Sequence, residues 1–283
     1  MRYGVQRLEG KMSKLPKQKL RTVGLIVPDV HEQIVKLKAI LRHYEDVDWV
    51  VFHSDFMDSF SGLTWQTHET VKWMAANIPN PKYKFCWANH DLSYAFPIFD
   101  CPGFDRNKLE IVQKHLNDND HWKRFKLFHW IGTPASDEER GNVPSNEWLV
   151  SHAGIHPSLL NPILGLDKRS MEDLADEAMY KLRYTQMTTS WLACGRGRGG
   201  YARVGGIVWL DWNTEFVPIS GLNQIVGHSF AETVRVKKAH DSVNWCIDTA
   251  LRYVVEVKED GSLQLVKVDV GNNSQNVNLK ATK

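Results

Sequence analysis

Nothing in this sequence reads as a disulfide framework or a thiolate metal site. Its four cysteines, Cys86, Cys101, Cys194 and Cys246, are scattered through 283 residues with no CxxC spacing. They read as free thiols in a reducing compartment. A signal peptide and an apolar run of membrane-spanning length are also missing, which predicts a cytoplasmic protein with no membrane partner. No excess of one charge exists either. The formal net charge of +2 neither demands nor excludes a nucleic-acid partner. With no internal repeat and no linker, a single domain is expected. What is abundant is tryptophan, eleven residues, and histidine, twelve. Tryptophan needs no explanation beyond a core; the histidines matter because of where several of them stand.

Residues 1–20 are polar and basic without apolar periodicity, and read as a mobile arm. Residues 271–283 are polar and read as a disordered tail, leaving 21–270 as the domain. The first apolar run, Arg21 to Val27, reads as a strand and is followed by helical spacing at Ile34, Leu37, Ile40 and Leu41. Trp49 to Phe52 reads as a second strand, Thr64 to Ile78 as a helix stopped by Pro79-Asn80-Pro81, and Tyr83 to Trp87 as a third strand. This alternation argues for an α/β fold with parallel strands, whose C-terminal edge is where ligands bind. Beyond it, Leu92 to Phe104 reads as an ordered loop, Arg106 to His115 as a helix, Lys126 to Trp130 as a strand and Thr133 to Pro144 as an exposed polar segment. Glu147 to Val150 reads as a strand and Ser170 to Leu182 as an amphipathic helix. Later apolar runs, including Ile207 to Leu210, read as strands, with Asp260-Gly261 a hairpin turn.

Five polar motifs follow apolar runs: Pro28-Asp29-Val30-His31, Ser54-Asp55-Phe56-Met57-Asp58, Ala88-Asn89-His90-Asp91, Ser151-His152-Ala153-Gly154 and Gly227-His228-Ser229. Any one alone is weak; Asp-x-His arises often by chance. If the five converge, the ligand set is Asp29, His31, Asp55, Asn89, His152 and His228. Asp55 can then use its two oxygens to bridge two divalent ions, which clamp a phosphate and acidify a bridging water whose hydroxide attacks phosphorus in line. Nitrogen and oxygen ligands without thiolate suit Mn first, then Fe or Zn, over a calcium cage. His90, beside Asn89 but not needed as a ligand, is the candidate general acid, and Asp58 the carboxylate that orients it. In isolation His90 would read as a loop histidine and Asp58 as a turn residue.

With these motifs in this order, the sequence resembles the calcineurin-like metallophosphoesterases, over about Arg21 to Val268. Ser151-His152-Ala153-Gly154-Ile155 is similar to the branch of Ser/Thr protein phosphatases, diadenosine tetraphosphatases and small phage phosphatases. The resemblance implies a four-layer α/β/β/α sandwich and hydrolysis of phosphate mono- or diesters, the substrate being a nucleotide or a phosphoprotein. The chain departs from the family pattern in several places. Pro28, Ser54 and Ala88 stand where the family has glycine. Ser59 stands where the protein-phosphatase branch has a phosphate-gripping arginine. Phe230 replaces the second histidine of Gly-His-x-His, leaving the first metal three protein ligands. Arg196 and Arg198 of the Gly-rich loop are candidates to bind the phosphate instead, since a guanidinium grips it as a fork. Solvated loop charge is the plainer reading of both. Tyr94-Ala95-Phe96-Pro97 is a candidate wall of the substrate site.

Two other readings compete. Gly227-His228-Ser229-Phe230-Ala231 approaches a nucleophile elbow, but ends on alanine and runs into strand pattern where that motif needs a helix. Arg196-Gly197-Arg198-Gly199-Gly200 resembles an Arg-Gly fragment, which would suit a nucleic-acid-binding protein with a degenerate metal site.

Overall fold

The computed structural model describes residues 20–59, 64–99, 101–116, 119–132, 147–270 and 277–281. The predicted arm up to residue 19 and the polar segment from 133 lie outside them. Among the described residues, twelve strands form two sheets. β1 (Thr22–Val27), β2 (Trp49–Phe52), β3 (Tyr83–Cys86) and β4 (Phe125–Lys126) run parallel. β10 (Tyr253–Lys258), β11 (Leu263–Val270) and β12 (Val277–Ala281) add to β1 as an antiparallel meander, giving the order β12-β11-β10-β1-β2-β3-β4. The second sheet, in the order β5-β6-β7-β9-β8, has a parallel centre of β6 (Trp148–Ser151), β7 (Asn223–Val226) and β9 (Ser242–Cys246). Its antiparallel edges are β5 (Phe128–Ile131) and β8 (Arg235–Ala239).

Side-chain alternation along the strands explains the layering. Ile26, Val51, Cys86 and Val255 of the first sheet share one buried cluster with Ile131, Val150 and Ile225 of the second, so the sheets pack face to face. The residues between them in sequence, Leu25, Val27, Val50, Phe52 and Phe85, point the other way. They pack with Leu37 and Ile40 of α1 (Ile34–His43) and Val71 and Met74 of α2 (Thr64–Asn77). Leu149 of β6 likewise packs in a cluster with Met171, Ala175 and Ala178 of α6 (Lys168–Tyr180). The result is an α/β/β/α sandwich. Between β3 and β4 lie α3 (Asn89–Ala95), α4 (Arg106–Leu116) and α5 (Asn119–Trp122).

The structure corrects several sequence expectations. Residues 277–281 of the predicted disordered tail form an edge strand, pairing Val268 with Leu279 and Val266 with Ala281. Val277-Asn278-Leu279-Lys280 alternates apolar and polar, a strand period too short to stand out in a polar tail. Ile207 to Leu210 is a buried turn, not a strand: the amides of Trp209 and Leu210 both donate to Gly206 O at 2.9 Å. A short, wholly buried apolar run carries no period that separates the two. The segment from Leu92 begins inside helix α3, and Lys126 to Trp130 divides between β4 and β5, which belong to different sheets.

Candidate metal centre

Every predicted ligand leaves the C-terminal end of a parallel strand: Asp29 and His31 after β1, Asp55 after β2, Asn89 after β3, His152 after β6 and His228 after β7. The loops are stitched to each other by main-chain bonds. His31 N donates to Asp55 O at 2.8 Å, Glu32 N to Phe56 O at 2.9 Å, and Gly227 N to His152 O at 2.7 Å. Their backbones are unusual, with positive φ at His31 (43°), Glu32 (58°), Ser54 (70°), Asp55 (50°), Asp58 (63°) and His228 (65°). Left-handed backbone at non-glycine residues costs of order 1–2 kcal/mol each and gathers at functional sites. Ser54 takes this conformation where the resembled family has glycine. Ala88, the other small-residue exchange, sits at φ −117° and needs no glycine.

The six predicted ligands converge. Asp29, His31 and Asp55 each offer a ligand atom within 4.8 Å of the other two. His31 Nε2 lies 3.3 Å from Asp55 Oδ2, and its Nδ1 faces Met57 O at 3.2 Å. On the other side of Asp55, His152 Nε2 lies 3.8 Å from the same Oδ2, 2.8 Å from Asn89 Oδ1 and 3.1 Å from His228 Nδ1. One carboxylate oxygen thus stands between two donor sets. Asp29 joins them from behind: its Oδ1 accepts His228 N at 2.9 Å and lies 3.4 Å from His152 Nδ1.

The electrostatics fit a cation. Asp29 Oδ2 is fully buried with no hydrogen-bond partner, a cost that a metal ion would offset. Burial, then the Asp248 and Asp55 charges, push the Asp29 carboxyl well above its usual range. Burial, then neighbouring cations and imidazoles, hold His152 and His228 well below the ordinary histidine value, so both rings are neutral and able to ligate. The donors, carboxylates, imidazoles and one amide oxygen, suit a divalent transition ion.

His90 stands beside this set. Its Nδ1 is 2.8 Å from Asp58 Oδ2, its amide donates to Asp55 Oδ1 at 3.2 Å, and its ring meets that of His31 edge-on at 5.5 Å. Burial pulls its pKa down, but the Asp55 charge and the Asp58 hydrogen bond prevail and raise it well above the ordinary value. Asn89 is held by its own amide donating to Cys101 Sγ at 3.3 Å.

The arginines are divided. Arg198 reaches the rim, donating to Ser229 Oγ at 2.6 Å and His228 O at 3.3 Å, and also forms an ion pair with Asp211, its Nε 2.9 Å from Oδ2 without a well-aligned hydrogen bond. Arg196 is exposed at the start of a short turn of 3₁₀ helix, Arg196–Arg198. Ser59 is engaged elsewhere, donating to Glu32 Oε2 at 2.5 Å. Tyr94, expected on a substrate-site wall, is buried instead and donates to Asp58 Oδ1 at 2.5 Å. The helical turn of α3 explains this, since Tyr94 falls four residues after His90 on the same face.

Sequence reasoning missed Asp248. It is 3% exposed, follows β9 as the predicted ligands follow their strands, and is pushed up to about 6 by burial, with His31 lowering and Asp55 raising it. The apolar run Trp245-Cys246-Ile247 ahead of it is the signal that could have found it. It missed Lys108 as well, which lies 2.9 Å from Glu32 Oε1 and 3.4 Å from Asp58 Oδ1. No spacing in the sequence links α4 to that loop.

No family model and no curated protein matches the chain. Solved structures do. A protein serine/threonine phosphatase from Saccharomyces cerevisiae aligns at 11% identity over 92% of this chain and 79% of its own, with a TM-score of 0.44. A dimetal phosphatase from Danio rerio aligns at 10% identity over 92% and 96%, with a TM-score of 0.36. An archaeal phosphodiesterase aligns at 11% identity over 92% and 99%, with a TM-score of 0.30. Among the described residues no helix is long and apolar enough to cross a membrane.

Proposed function

We propose that this chain is a dinuclear metal-dependent phosphoesterase that hydrolyses phosphate mono- or diesters. The observation that carries the reading is Asp55 Oδ2, which faces His31 Nε2 at 3.3 Å on one side and His152 Nε2 at 3.8 Å on the other. One carboxylate between two donor sets is an arrangement that suits a pair of divalent ions. Asp29, His31 and Asp55 would hold one ion, and Asp55, Asn89, His152 and His228 the other, with Mn ahead of Fe or Zn. Bound there, such ions supply Lewis acidity and lower the pKa of a water.

The chain's own residues supply the rest. His90 gives a proton to the departing ester oxygen, and Asp58 holds the ring by its Nδ1. The Arg196–Arg198 turn offers guanidinium groups to the phosphate, Arg196 the freer because Arg198 already pairs with Asp211. The substrate is a phosphate ester, of the nucleotide or phosphoprotein class, and the compartment is cytoplasmic. The nucleic-acid-binding alternative gains nothing from the Arg-Gly segment, whose Arg198 is bound within the fold.

The test is hydrolysis of a chromogenic monoester and diester by chelator-stripped protein, with Mn added back, beside Asp55→Asn and His90→Ala. Metal-restored turnover should be absent in Asp55→Asn. In His90→Ala it should fall by about 10²–10⁴ for poor leaving groups, with Mn binding by titration calorimetry kept. Failure of the wild type to bind Mn would sink the reading.

A further inference from the structure

Behind His90 lies a polar cluster with no part in holding metal. Lys108 of α4 has a side chain only 13% exposed, yet its ammonium lies between two carboxylates, Glu32 Oε1 at 2.9 Å and Asp58 Oδ1 at 3.4 Å. Glu32 is fully buried and also accepts from Thr67 Oγ1 at 3.0 Å and Ser59 Oγ at 2.5 Å. Burying a charge is costly unless partners satisfy it, and Glu32 has three. A purely structural part, tying α4 to the first two ligand loops, would need only this half of the cluster.

The other half reaches the reacting side. Asp58 Oδ1 takes the Tyr94 hydroxyl at 2.5 Å as well as the lysine, while the phenol oxygen accepts the Asp105 amide at 3.1 Å. The donors therefore run one way, from main-chain amide to phenol to carboxylate. With Oδ1 occupied from two directions, the carboxylate cannot rotate without breaking both contacts. Oδ2 is then the atom left for His90 Nδ1, at 2.8 Å.

We propose that Tyr94 and Lys108 are positioning residues that act through Asp58, fixing its rotation so that His90 keeps a proton on Nδ1 and works through Nε2. As the P–O bond breaks, the Nε2 proton passes to the leaving oxygen and the ring retains its Nδ1 proton. Glu32 anchors the lysine. This inference rests on the phosphoesterase reading, and adds to it a set of residues that set the enzyme's tolerance of poor leaving groups.

The test compares Tyr94→Phe with the charge-neutral pair Lys108→Met and Glu32→Gln, using p-nitrophenyl phosphate and phenyl phosphate with Mn present. A nitrophenolate leaves without a proton, whereas a phenolate with its higher pKa gains from one. The ratio of kcat for p-nitrophenyl over phenyl phosphate should rise about tenfold in each variant, a fraction of the total effect of a general acid. KM and bound Mn should stay as in the wild type. Loss of packing alone would lower both rates together and leave the ratio where it was. If the double variant does not fold, Tyr94→Phe, which removes one oxygen, decides alone. An unchanged ratio in an active protein overturns the inference and leaves the phosphoesterase reading standing. If the wild type turns over only diesters, the same ratio is read on methyl p-nitrophenyl and methyl phenyl phosphate, and no turnover on any of the four esters overturns both.

Discussion

Replacing Gly227 by alanine would place a methyl group inside the proposed metal centre. A Cβ at this position lies 2.0 Å from Asp29 Oδ2 and 2.9 Å from its Cγ. Gly227 is not among the positive-φ glycines, so alanine suits the backbone and the perturbation is steric. The carboxylate has little room to yield. Asp29 is fully buried, and its Oδ1 is held by the His228 amide at 2.9 Å. Overpacking of this kind costs about 1–3 kcal/mol. Taking about 2 kcal/mol, Tm should fall by about 4–8 °C in the metal-free protein. The larger consequence is for metal. A displaced carboxylate must return to its place to ligate, so the same cost of about 2 kcal/mol falls on binding, about a thirtyfold rise in Kd. Calorimetric titration of Mn into chelator-stripped Gly227→Ala, beside thermal unfolding with and without Mn, measures both. A variant that is destabilised but binds Mn as the wild type does would show that Asp29 packs there without ligating, and would remove the first donor set from the argument. A variant unchanged in both respects would show that the Asp29 carboxylate is not where the structure puts it.

Ser54→Gly should stabilise the protein by about 1 kcal/mol, read as a higher urea midpoint. The change relieves a left-handed residue and removes a buried hydroxyl without a partner, against the larger unfolded-state entropy of glycine. No gain would mean that an unseen partner holds that hydroxyl. Stability should also fall with acid through His129. Burial, with the Lys84 and Lys126 charges behind it, pushes this ring down to about 4, while its Nε2 contacts Phe85 O at 3.1 Å. The folded protein then binds fewer protons than the unfolded chain between about pH 4 and pH 6.5, so stability rises with pH across that window and is lost as pH falls through it. The full shift is worth about 3 kcal/mol; partial exposure of the ring reduces this to about 2 kcal/mol. Urea unfolding at both ends of the window should show the difference, and His129→Gln should lessen the fall by about 2 kcal/mol, the rest belonging to the other buried imidazoles, His53, His152 and His228.

The positions of the proposed ligands were legible in the sequence because a strand announces itself by its apolar run, and a parallel sheet collects the residues that follow each run at one edge. Asp29, Asp55, Asn89, His152 and His228 all obey this rule, and so does Asp248, which went unread only because no recognised motif surrounds it. The sandwich was less legible from pattern alone: Val150 and Leu149 are adjacent and equally apolar, and only the fold reveals that one packs against the other sheet and the other in the cluster with α6. The cluster around Asp58 was beyond reach for a different reason. Lys108 meets Asp58 across fifty residues by way of a helix whose docking angle no local spacing encodes. Tyr94 could have been found, but only through its helix. As a loop residue it reads as an aromatic wall; as the residue one helical turn after His90 it falls on the same face, toward the same carboxylate. Helix in place of loop thus turns an expected substrate contact into a support for the proposed acid. The residues proposed to hold ions sit at the ends of strands, where sequence speaks plainly, and those proposed to orient the proton donor are assembled by helix packing, where it does not.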